Sequence, residues 1–282
     1  MDWLTKMNAA IDYVENNLTG EIDYGIVAQK ACCSSYNFQR MFSFITDTSL
    51  AEYIRRRRLT QAALELQSTD AKVIDIAVKF GYNSATAFGR AFTALHGVTP
   101  SDARQAGAKL RAYPKISFNI SIKGDVGMDY RIETKEAFDV FGVEAICSHI
   151  DAEGFISPPG LWEECHKNGE YERLLANAGD LPSFISQGFA TKDVCKLHAV
   201  SGYRKTEKDT FAYMMCAFVS KNSKTEGFTT VHIPSQTYAI FPSGKYQWDA
   251  FQDVLAAMHK RIFSEWFPTS NFVLADGADF EI

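Results

Sequence analysis

The chain has 282 residues, of which 46% are hydrophobic and 13% aromatic, and its formal net charge is −5. This length favours two domains over one, and the composition excludes a disordered or fibrous chain. No run of about 18 uncharged apolar residues predicts a membrane span, and residues 1–17 lack the basic and apolar regions of a secretory signal, so we expect a cytoplasmic protein without a membrane partner.

The cysteines argue against a metal site. The sequence contains no CxxC pair and no His at zinc-ligand spacing. The six cysteines are Cys32, Cys33, Cys147, Cys165, Cys195 and Cys216. A reduced chain with incidental thiols is expected, and the sequence predicts neither a metal nor a cofactor.

Charge is unevenly distributed along the chain. Residues 1–111 carry 13 Lys and Arg against 11 Asp and Glu, whereas residues 112–282 carry 16 against 23. Within the first part, residues 30–111 carry 12 basic against 6 acidic side chains. A basic segment in an acidic chain indicates a polyanionic partner for the N-terminal part.

One motif occurs twice in the N-terminal part. S-x-x-x-F-x-R-x-F lies at residues 34–42 and again at 84–92, fifty residues further on. Each copy follows a short apolar helix, at 24–31 or 73–80, and a tight turn. The first serine of each motif is expected to cap the second helix, and its two phenylalanines, four residues apart, are expected in the core. Each copy therefore predicts a helix-turn-helix.

Residues 49–68 predict one long helix between the two copies, and four consecutive arginines lie within it. Successive residues of a helix are 100° apart, so these four side chains cannot all face one partner. A rigid spacer can place two recognition helices in successive major grooves, about 34 Å apart. Arg55 and Arg56 are then candidates for phosphate contacts, and Arg58 is expected to be structural. The alternative is a solvated helix face.

Residues 8–106 resemble the DNA-binding domain of AraC/XylS transcriptional regulators. The resemblance is carried by the two motif copies, the helix between them, and the closing G-x-T-P-x-x-x-R at 97–104. About 100 residues match in order, which is more specific than an isolated helix-turn-helix pattern. The domain comes first in the chain, as in Rob-type members that carry an effector-like domain behind it.

The resemblance implies a first recognition helix at about 34–43, whose polar residues are expected to be exposed. Gln39 and Arg40 suit base edges, and Tyr36 suits a base methyl group or a sugar. The second recognition helix offers fewer polar side chains, so specificity is expected mainly from the first. The predicted DNA contacts are Ser34, Tyr36, Asn37, Gln39, Arg40, Arg55, Arg56, Ser84, Thr86 and Arg90. For each, the alternative is an ordinary exposed helix residue.

Beyond residue 114 the hydrophobic pattern alternates between strand and helix periods. Strands are predicted at 115–124, 128–135, 138–150, 196–205, 210–221, 229–244 and 272–282, and helices at 157–179 and 248–267. The helix at 157–179 is expected to start at Pro158 or Pro159. A strand–helix–strand pattern that occurs twice predicts a duplicated α+β module with an antiparallel sheet.

Residues 115–282 resemble a GyrI-like effector-binding domain of the SOUL type, through segments such as "GLWEECHKNGEYERL", "TYAIFPSGKY" and "DFEI". The resemblance implies a groove for a bulky cationic or amphipathic molecule, with aromatic walls and a buried carboxylate. By motif, the carboxylate is Glu281 and Trp162 is a candidate wall, although Glu281 as an exposed strand carboxylate and Trp162 as simple core are alternatives. Composition alone adds Tyr203, Tyr213, Met214 and Trp248 as ligand-binding candidates.

Together these features predict an all-α tandem helix-turn-helix domain at 1–111 and an α+β GyrI-like domain at 112–282. The expected function is a one-component transcription regulator, an activator, with double-stranded DNA and a small-molecule effector as partners and RNA polymerase as a further candidate partner. Two alternatives remain for the second domain: a hydrolase using Glu281 with Tyr203 or Tyr213, or an interaction module without a ligand. No catalytic residue is predicted, since no nucleophile–base pair or G-x-S-x-G elbow is recognisable.

Overall fold

A computed structural model describes residues 3–105, 107–119, 127–148, 154–186, 195–207, 210–247, 250–270 and 272–282. The chain folds into two compact units. Met1–Ile122 and Ala256–Leu274 form the first, and Lys123–Leu255 and Ala275–Ile282 form the second. The division into functional domains between residues 111 and 112 stays a prediction.

The N-terminal part of the first unit is helical. Its helices are α1 (Trp3–Asn16), α2 (Tyr24–Ala31), α3 (Ser35–Thr46), α4 (Leu50–Ser68), α5 (Val73–Lys79) and α6 (Ala85–His96). The pairs α2–α3 and α5–α6 are the two predicted helix-turn-helix units, and α4 is the predicted helix between them.

Serine side chains begin three of these helices. Ser34 Oγ accepts a hydrogen bond from the backbone N–H of Asn37 at 3.2 Å, and Ser84 Oγ accepts one from Ala87 at 3.1 Å. Ser49 caps α4 in the same way. Each cap satisfies an N–H group that the helix leaves unpaired, which is worth about 1 kcal/mol. The predicted capping by Ser34 and Ser84 is confirmed.

The two helix-turn-helix turns reach the left-handed backbone region with different residues. Gly81 has φ 83°, whereas Cys32 at the other turn has φ 56°. A Cβ atom on Gly81 would lie 2.9 Å from Nη1 of Arg58, so glycine is required there. Cys32 carries a side chain in a conformation that L-residues seldom adopt, and the first turn is therefore strained.

Two apolar cores hold the helices together. Helices α1 to α3 and the start of α4 enclose one core, and the end of α4, α5 and α6 enclose the other. Phe38 and Phe42 are stacked in the first core, and Phe88 and Phe92 pack in the second. The prediction that these pairs are core residues is confirmed, and α4 joins the two cores into one unit.

The predicted strand at 115–124 is wrong over its described part. Residues 115–119 form no strand, and residues 120–124 lie outside the described residues. The N–H of Phe118 donates to Oδ1 of Asn8 at 2.8 Å, and Nδ2 of Asn8 donates to the Phe118 carbonyl at 2.9 Å. A side chain of α1 thus takes the place of a neighbouring strand, and the Phe118 ring is buried in the first core.

The second unit contains antiparallel sheet. Its strands are β1 (Arg131–Lys135), β2 (Phe138–Ser148), β3 (His198–Ser201), β4 (Thr210–Phe218), β5 (Thr229–Ile233), β6 (Gln236–Ile240) and β7 (Asp279–Glu281). Five of them form one sheet in the order β5-β2-β4-β3-β7, and β1 pairs with β6. The predicted α+β antiparallel class is confirmed, although the strand predicted at 272–282 is limited to β7.

Two helices cover one face of the five-stranded sheet. They are α7 (Pro158–Asn168), which begins at the predicted proline after the Ser157 cap, and α8 (Glu170–Asn177). Gly169, with φ 83°, ends α7 and divides the predicted single helix into two. The helix-covered face carries Phe141, Tyr213 and Met215. The opposite face carries Val140, Val200, Met214, Cys216 and Phe218, with the short helix α9 (Ser183–Ser186) beside it.

The last helix, α10 (Phe251–Arg261), continues into a π-helical turn at Ile262–Trp266 and a 3-10 turn at Phe267–Thr269. Its residues from 256 onward belong to the first unit. There Phe263 and Phe267 are buried in the core of α1 to α3, where the Phe267 ring lies 6.4 Å from that of Trp3.

Candidate nucleic-acid interface and effector site

The polar residues of α3 are less exposed than the sequence suggests. The expectation that Asn37 and Gln39 are exposed is wrong, because only 6% and 3% of their surface is accessible. Nε2 of Gln39 donates to Oγ of Ser35 at 3.3 Å, and Tyr36 is half-buried. The packing of α3 within the first unit accounts for this burial, which a helical pattern alone does not reveal.

Arg40 lies midway along α3 and contacts two aromatic rings. Its Nη2 donates to Nε2 of His259 at 3.1 Å, and its guanidinium lies 5.4 Å from the centre of the Phe44 ring. The rings of Phe44 and His259 stack at 4.1 Å with an interplanar angle of 9°. The residue predicted to bind a base edge is thus held by α10.

Helix α6 presents its polar side chains openly. Thr86 and Arg90 are both exposed, and they lie on the same side of the helix because they are four residues apart. Their place in the second helix-turn-helix is equivalent to that of Tyr36 and Arg40 in the first. The structure therefore leaves the second recognition helix more accessible than the first.

Arg55 and Arg56 share one carboxylate on α4. Nε and Nη2 of Arg55 donate to Glu52 at 2.6 and 2.8 Å, and Nε of Arg56 donates to it at 2.5 Å. Hydrogen bonds from Arg55 lower the pKa of Glu52. The two arginine side chains remain 40% and 35% exposed, so the three groups form one exposed cluster with two cations and one anion.

The other two arginines of the run are structural. Arg58 donates to the carbonyl oxygens of Leu18 at 2.8 Å and Gly20 at 2.6 Å, which confirms its predicted role. Burial lowers the pKa of Arg58. Arg57, which the sequence did not single out, is buried against Glu15 of α1.

Three of the predicted effector-binding residues meet on the helix-covered face of the sheet. Nε1 of Trp162 donates to the hydroxyl of Tyr213 at 2.9 Å. Burial raises the pKa of Tyr213, and the nearby carboxylate of Glu281 raises it further. Glu281 lies opposite Ala199 in the β3–β7 pairing, so both residues share this face. An indole, a phenol and a carboxylate are thus collected at one place.

The other predicted residues do not join them. Met214 and Tyr203 pack on the opposite face, and Trp248 lies outside the described residues. Tyr203 donates to Oε1 of Glu144 at 2.6 Å, and Arg204 donates to the same oxygen at 2.9 Å. The hydrogen bond from Arg204 lowers the pKa of Glu144 although burial opposes it.

A buried imidazole lies on this opposite face too. His198 is 2% exposed, and neither of its ring nitrogens has a hydrogen-bond partner among the described residues. Its ring lies 5.2 Å from that of Phe218, and burial lowers its pKa to about 4. The imidazole is therefore neutral at physiological pH.

Among the described residues, no helix is both long and apolar enough to cross a bilayer. Within the same ranges, no three His, Cys, Asp or Glu side chains are grouped so that they could hold a metal ion.

Each half of the chain matches the model of a known protein family. A family model described as a helix-turn-helix domain matches residues 27–106, and one described as an integron-associated effector binding protein matches residues 131–282. The second match spans more than half of the chain. The chain belongs to the integron-associated effector binding protein family. The resemblances to an AraC-type DNA-binding domain and a GyrI-like effector-binding domain are confirmed.

The proteins that are similar to the N-terminal part of the chain are transcription regulators. The HTH-type transcriptional activator AarP of Providencia stuartii is 42% identical over 89 residues, which is 32% of this chain and 66% of AarP. The regulatory protein SoxS of Salmonella typhimurium is 39% identical over 94 residues, or 33% of this chain and 88% of SoxS. The chain therefore carries the DNA-binding domain of a transcription regulator.

The solved structure of an AraC-type transcriptional regulator from Chromobacterium violaceum is also similar to this chain. The identity is 23% with a TM-score of 0.34, and the match covers 35% of this chain and 88% of the other.

The sequence patterns did not single out Glu144 and His198. A signal for Glu144 was present, because it is an acidic residue inside the otherwise apolar run "FGVEAIC" of β2. No pattern distinguishes His198, since a histidine at the end of an apolar strand is equally compatible with exposure. Arg57 is structural because Glu15 of α1 pairs with it, and no local pattern in the sequence predicts that contact.

Proposed function

We propose that the chain is a one-component transcription regulator whose first unit binds double-stranded DNA and whose second unit binds a small-molecule effector. The observation that carries this proposal is the tandem pair of capped helix-turn-helix units on either side of α4. The 19 residues of α4 span roughly 28 Å at 1.5 Å per residue. A spacer of that length suits two recognition helices in successive major grooves, about 34 Å apart.

The proposed DNA contacts fall into two classes. Arg40 and Arg90 are proposed to bind base edges or nearby phosphates from α3 and α6, with Thr86 beside Arg90. Arg55 and Arg56 are proposed to contact phosphates, and their half-exposed side chains would exchange Glu52 for the DNA backbone. Tyr36, Asn37 and Gln39 are more remote candidates because of their burial, and Ser34 and Ser84 would act as helix caps near the backbone.

The proposed effector site is the group formed by Trp162, Tyr213 and Glu281. Aromatic rings attract an organic cation through their electron-rich faces, and a half-buried carboxylate is stabilised by an added positive charge. Glu144 is less suitable, because Arg204 already neutralises it. The effector class that fits this chemistry is an aromatic or amphipathic cation.

Activation of transcription is proposed by analogy with the transcriptional activator AarP. Contact with RNA polymerase and a cytoplasmic location are proposed because such an activity would require them. We do not propose the hydrolase that would use Glu281 with Tyr203 or Tyr213. Tyr203 packs on the opposite face of the sheet, and burial together with Glu281 raises the pKa of Tyr213, which makes its phenol a poor proton donor.

Hydroxyl-radical footprinting tests the DNA part. The full chain is used to select duplexes from a random pool, and the selected duplex is then footprinted. We expect two protected segments one helical turn apart on one face of the duplex. A single protected segment, or protection of any duplex equally, would contradict the tandem arrangement.

Titration with a fluorescent aromatic cation such as rhodamine 6G tests the effector part, with the anion fluorescein as the counterpart. We expect the cation to bind and the anion not to bind. Glu281→Gln should lower the affinity for the cation about tenfold, because the site loses its negative charge and keeps only its aromatic rings. Glu163→Gln is the matched control, since Glu163 is 71% exposed beside Lys167. Equal affinities of the two variants would overturn the assignment of Glu281.

A further inference from the structure

Residues 256–270, here called the α10 segment, lie along α3 within the first unit. Phe44 of α3 stacks on His259, and the rings of Phe44 and Phe263 are also parallel at 6.1 Å. At the end of α3, Lys260 forms an ion pair with Asp47. The contact between α3 and the α10 segment therefore consists of stacked aromatic rings with an ion pair at one edge.

The side of α3 that the segment covers is the side on which the proposed DNA contacts lie. Arg40 and Phe44 are four residues apart, so they share one side of the helix, and Tyr36 lies one turn before them. The guanidinium of Arg40 donates to His259 and lies 5.4 Å from the centre of the Phe44 ring. Arg40 is thus held by the segment through His259, whose ring is stacked on Phe44.

A major groove has no room for this arrangement. The groove is about 12 Å wide, and one α-helix with its side chains is about 10–12 Å in diameter. A recognition helix fills the groove alone. A second helix stacked on the same side of α3 would meet the base edges before Arg40 could reach them.

We propose that the α10 segment is an internal block, which occupies the recognition side of α3 and must leave it before α3 enters DNA. The segment is part of the region matched by the effector binding protein family, residues 131–282. The block therefore places a piece of that region on the DNA-binding helix. This inference rests on the proposed role of α3 in DNA recognition.

The experiment compares the affinity of the full chain for its selected duplex in wild type and His259→Ala. The substitution removes the stacking partner of Phe44 and the acceptor of Arg40, while Phe263 and Phe267 keep their places in the core. A protein that is only partly competent has an apparent Kd equal to its intrinsic Kd divided by the competent fraction, so removing the competing state lowers the apparent Kd towards the intrinsic value. We expect the Kd of His259→Ala to fall at least threefold, and that of Lys260→Ala to fall by a smaller factor.

The same substitution at an exposed histidine, His232→Ala on β5, is the matched control and should leave the Kd unchanged. Adding Arg40→Ala to His259→Ala should remove the gain, because the gain comes from releasing Arg40. A Kd of His259→Ala equal to or weaker than wild type, with Arg40→Ala still impaired, would overturn the block but leave the role of α3 intact. If Arg40→Ala binds like wild type, the proposed role of α3 fails first, and the block fails with it.

Discussion

Arg57 and Glu15 form a two-point ion pair that is almost completely enclosed. Nε and Nη2 of Arg57 donate to the two carboxylate oxygens of Glu15 at 2.9 and 2.6 Å, and the side chains are 8% and 12% exposed. Nη1 of Arg57 donates to the carbonyl of Tyr113 at 2.5 Å, and the Tyr53 hydroxyl donates to Glu15 at 2.6 Å. The pair fastens α1 and the chain after α6 to the middle of α4.

Removing one partner of this pair should destabilise the first unit strongly. Arg57→Ala leaves the Glu15 carboxylate buried without its cation, which typically costs about 3–5 kcal/mol. Arg56→Ala, one residue away, removes only a half-exposed ion pair and should cost less than about 1 kcal/mol. Urea denaturation of the full-length variants measures both, and similar losses for the two arginines would contradict the structural role of Arg57.

The strained turn at Cys32 predicts that glycine stabilises the protein there. An L-residue in the left-handed conformation costs roughly 1–2 kcal/mol. Glycine removes this cost, but its larger freedom in the unfolded chain offsets part of the gain in stability. Cys32→Gly should therefore raise the free energy of unfolding by up to about 1 kcal/mol, as measured by thermal denaturation. Cys32→Ala keeps the Cβ atom and should bring no gain.

At the second turn, the opposite substitution, from glycine to alanine, should have the opposite effect on stability. In Gly81→Ala the new Cβ would lie 2.9 Å from Nη1 of Arg58 at a φ of 83°, so this variant should be less stable than wild type. Equal stability of Gly81→Ala and wild type would show that the turn tolerates a side chain.

The buried imidazole of His198 predicts a dependence of stability on pH. Its pKa is about 4 in the folded state against 6.5 normally, so the unfolded chain binds the proton first. Its contribution is fully present above pH 6.5 and is lost as the pH falls from 6.5 towards 4, by up to about 1.4 kcal/mol per pH unit. Denaturation of His198→Leu across this range should show a shallower loss than denaturation of the wild type, and an equal loss would contradict the role of the buried imidazole.

Two arginines should affect DNA binding differently. Arg40→Ala should cost about 1–3 kcal/mol on the selected duplex and reduce the preference for it, because a base contact is lost. Arg55→Ala should weaken binding to all duplexes alike and lower the salt slope by about one, because a phosphate contact is lost. Competition binding with selected and scrambled duplexes measures both. Equal losses on both duplexes for Arg40→Ala would exclude a base contact.

Local patterns predicted the helical unit well. The repeated motif placed α3 and α6 correctly, because a serine cap and phenylalanines four residues apart have the same consequence in any helix. The strand at 115–124 failed because alternation of apolar residues describes any extended segment with one buried side. The Asn8 side chain that pairs with Phe118 is 110 residues away in sequence.

The site depended more on tertiary structure. Trp162 and Glu281 lie in the segments that carry the family resemblance, and both meet near Tyr213. Met214 follows Tyr213 in β4, so its side chain faces the opposite side of the sheet. Tyr203 lies in a loop and packs on that same opposite side. The hydrogen bond between Arg40 and His259 joins positions more than 200 residues apart. No local pattern contains that information.

Fluorescence anisotropy across a salt series tests most directly whether the first unit recognises a DNA sequence. The full chain is titrated into its selected duplex and into a scrambled duplex of the same composition. We expect tighter binding to the selected duplex at every salt concentration, with log K falling linearly as log salt rises. Equal affinity for the two duplexes, or no binding to either at low salt, would contradict the account.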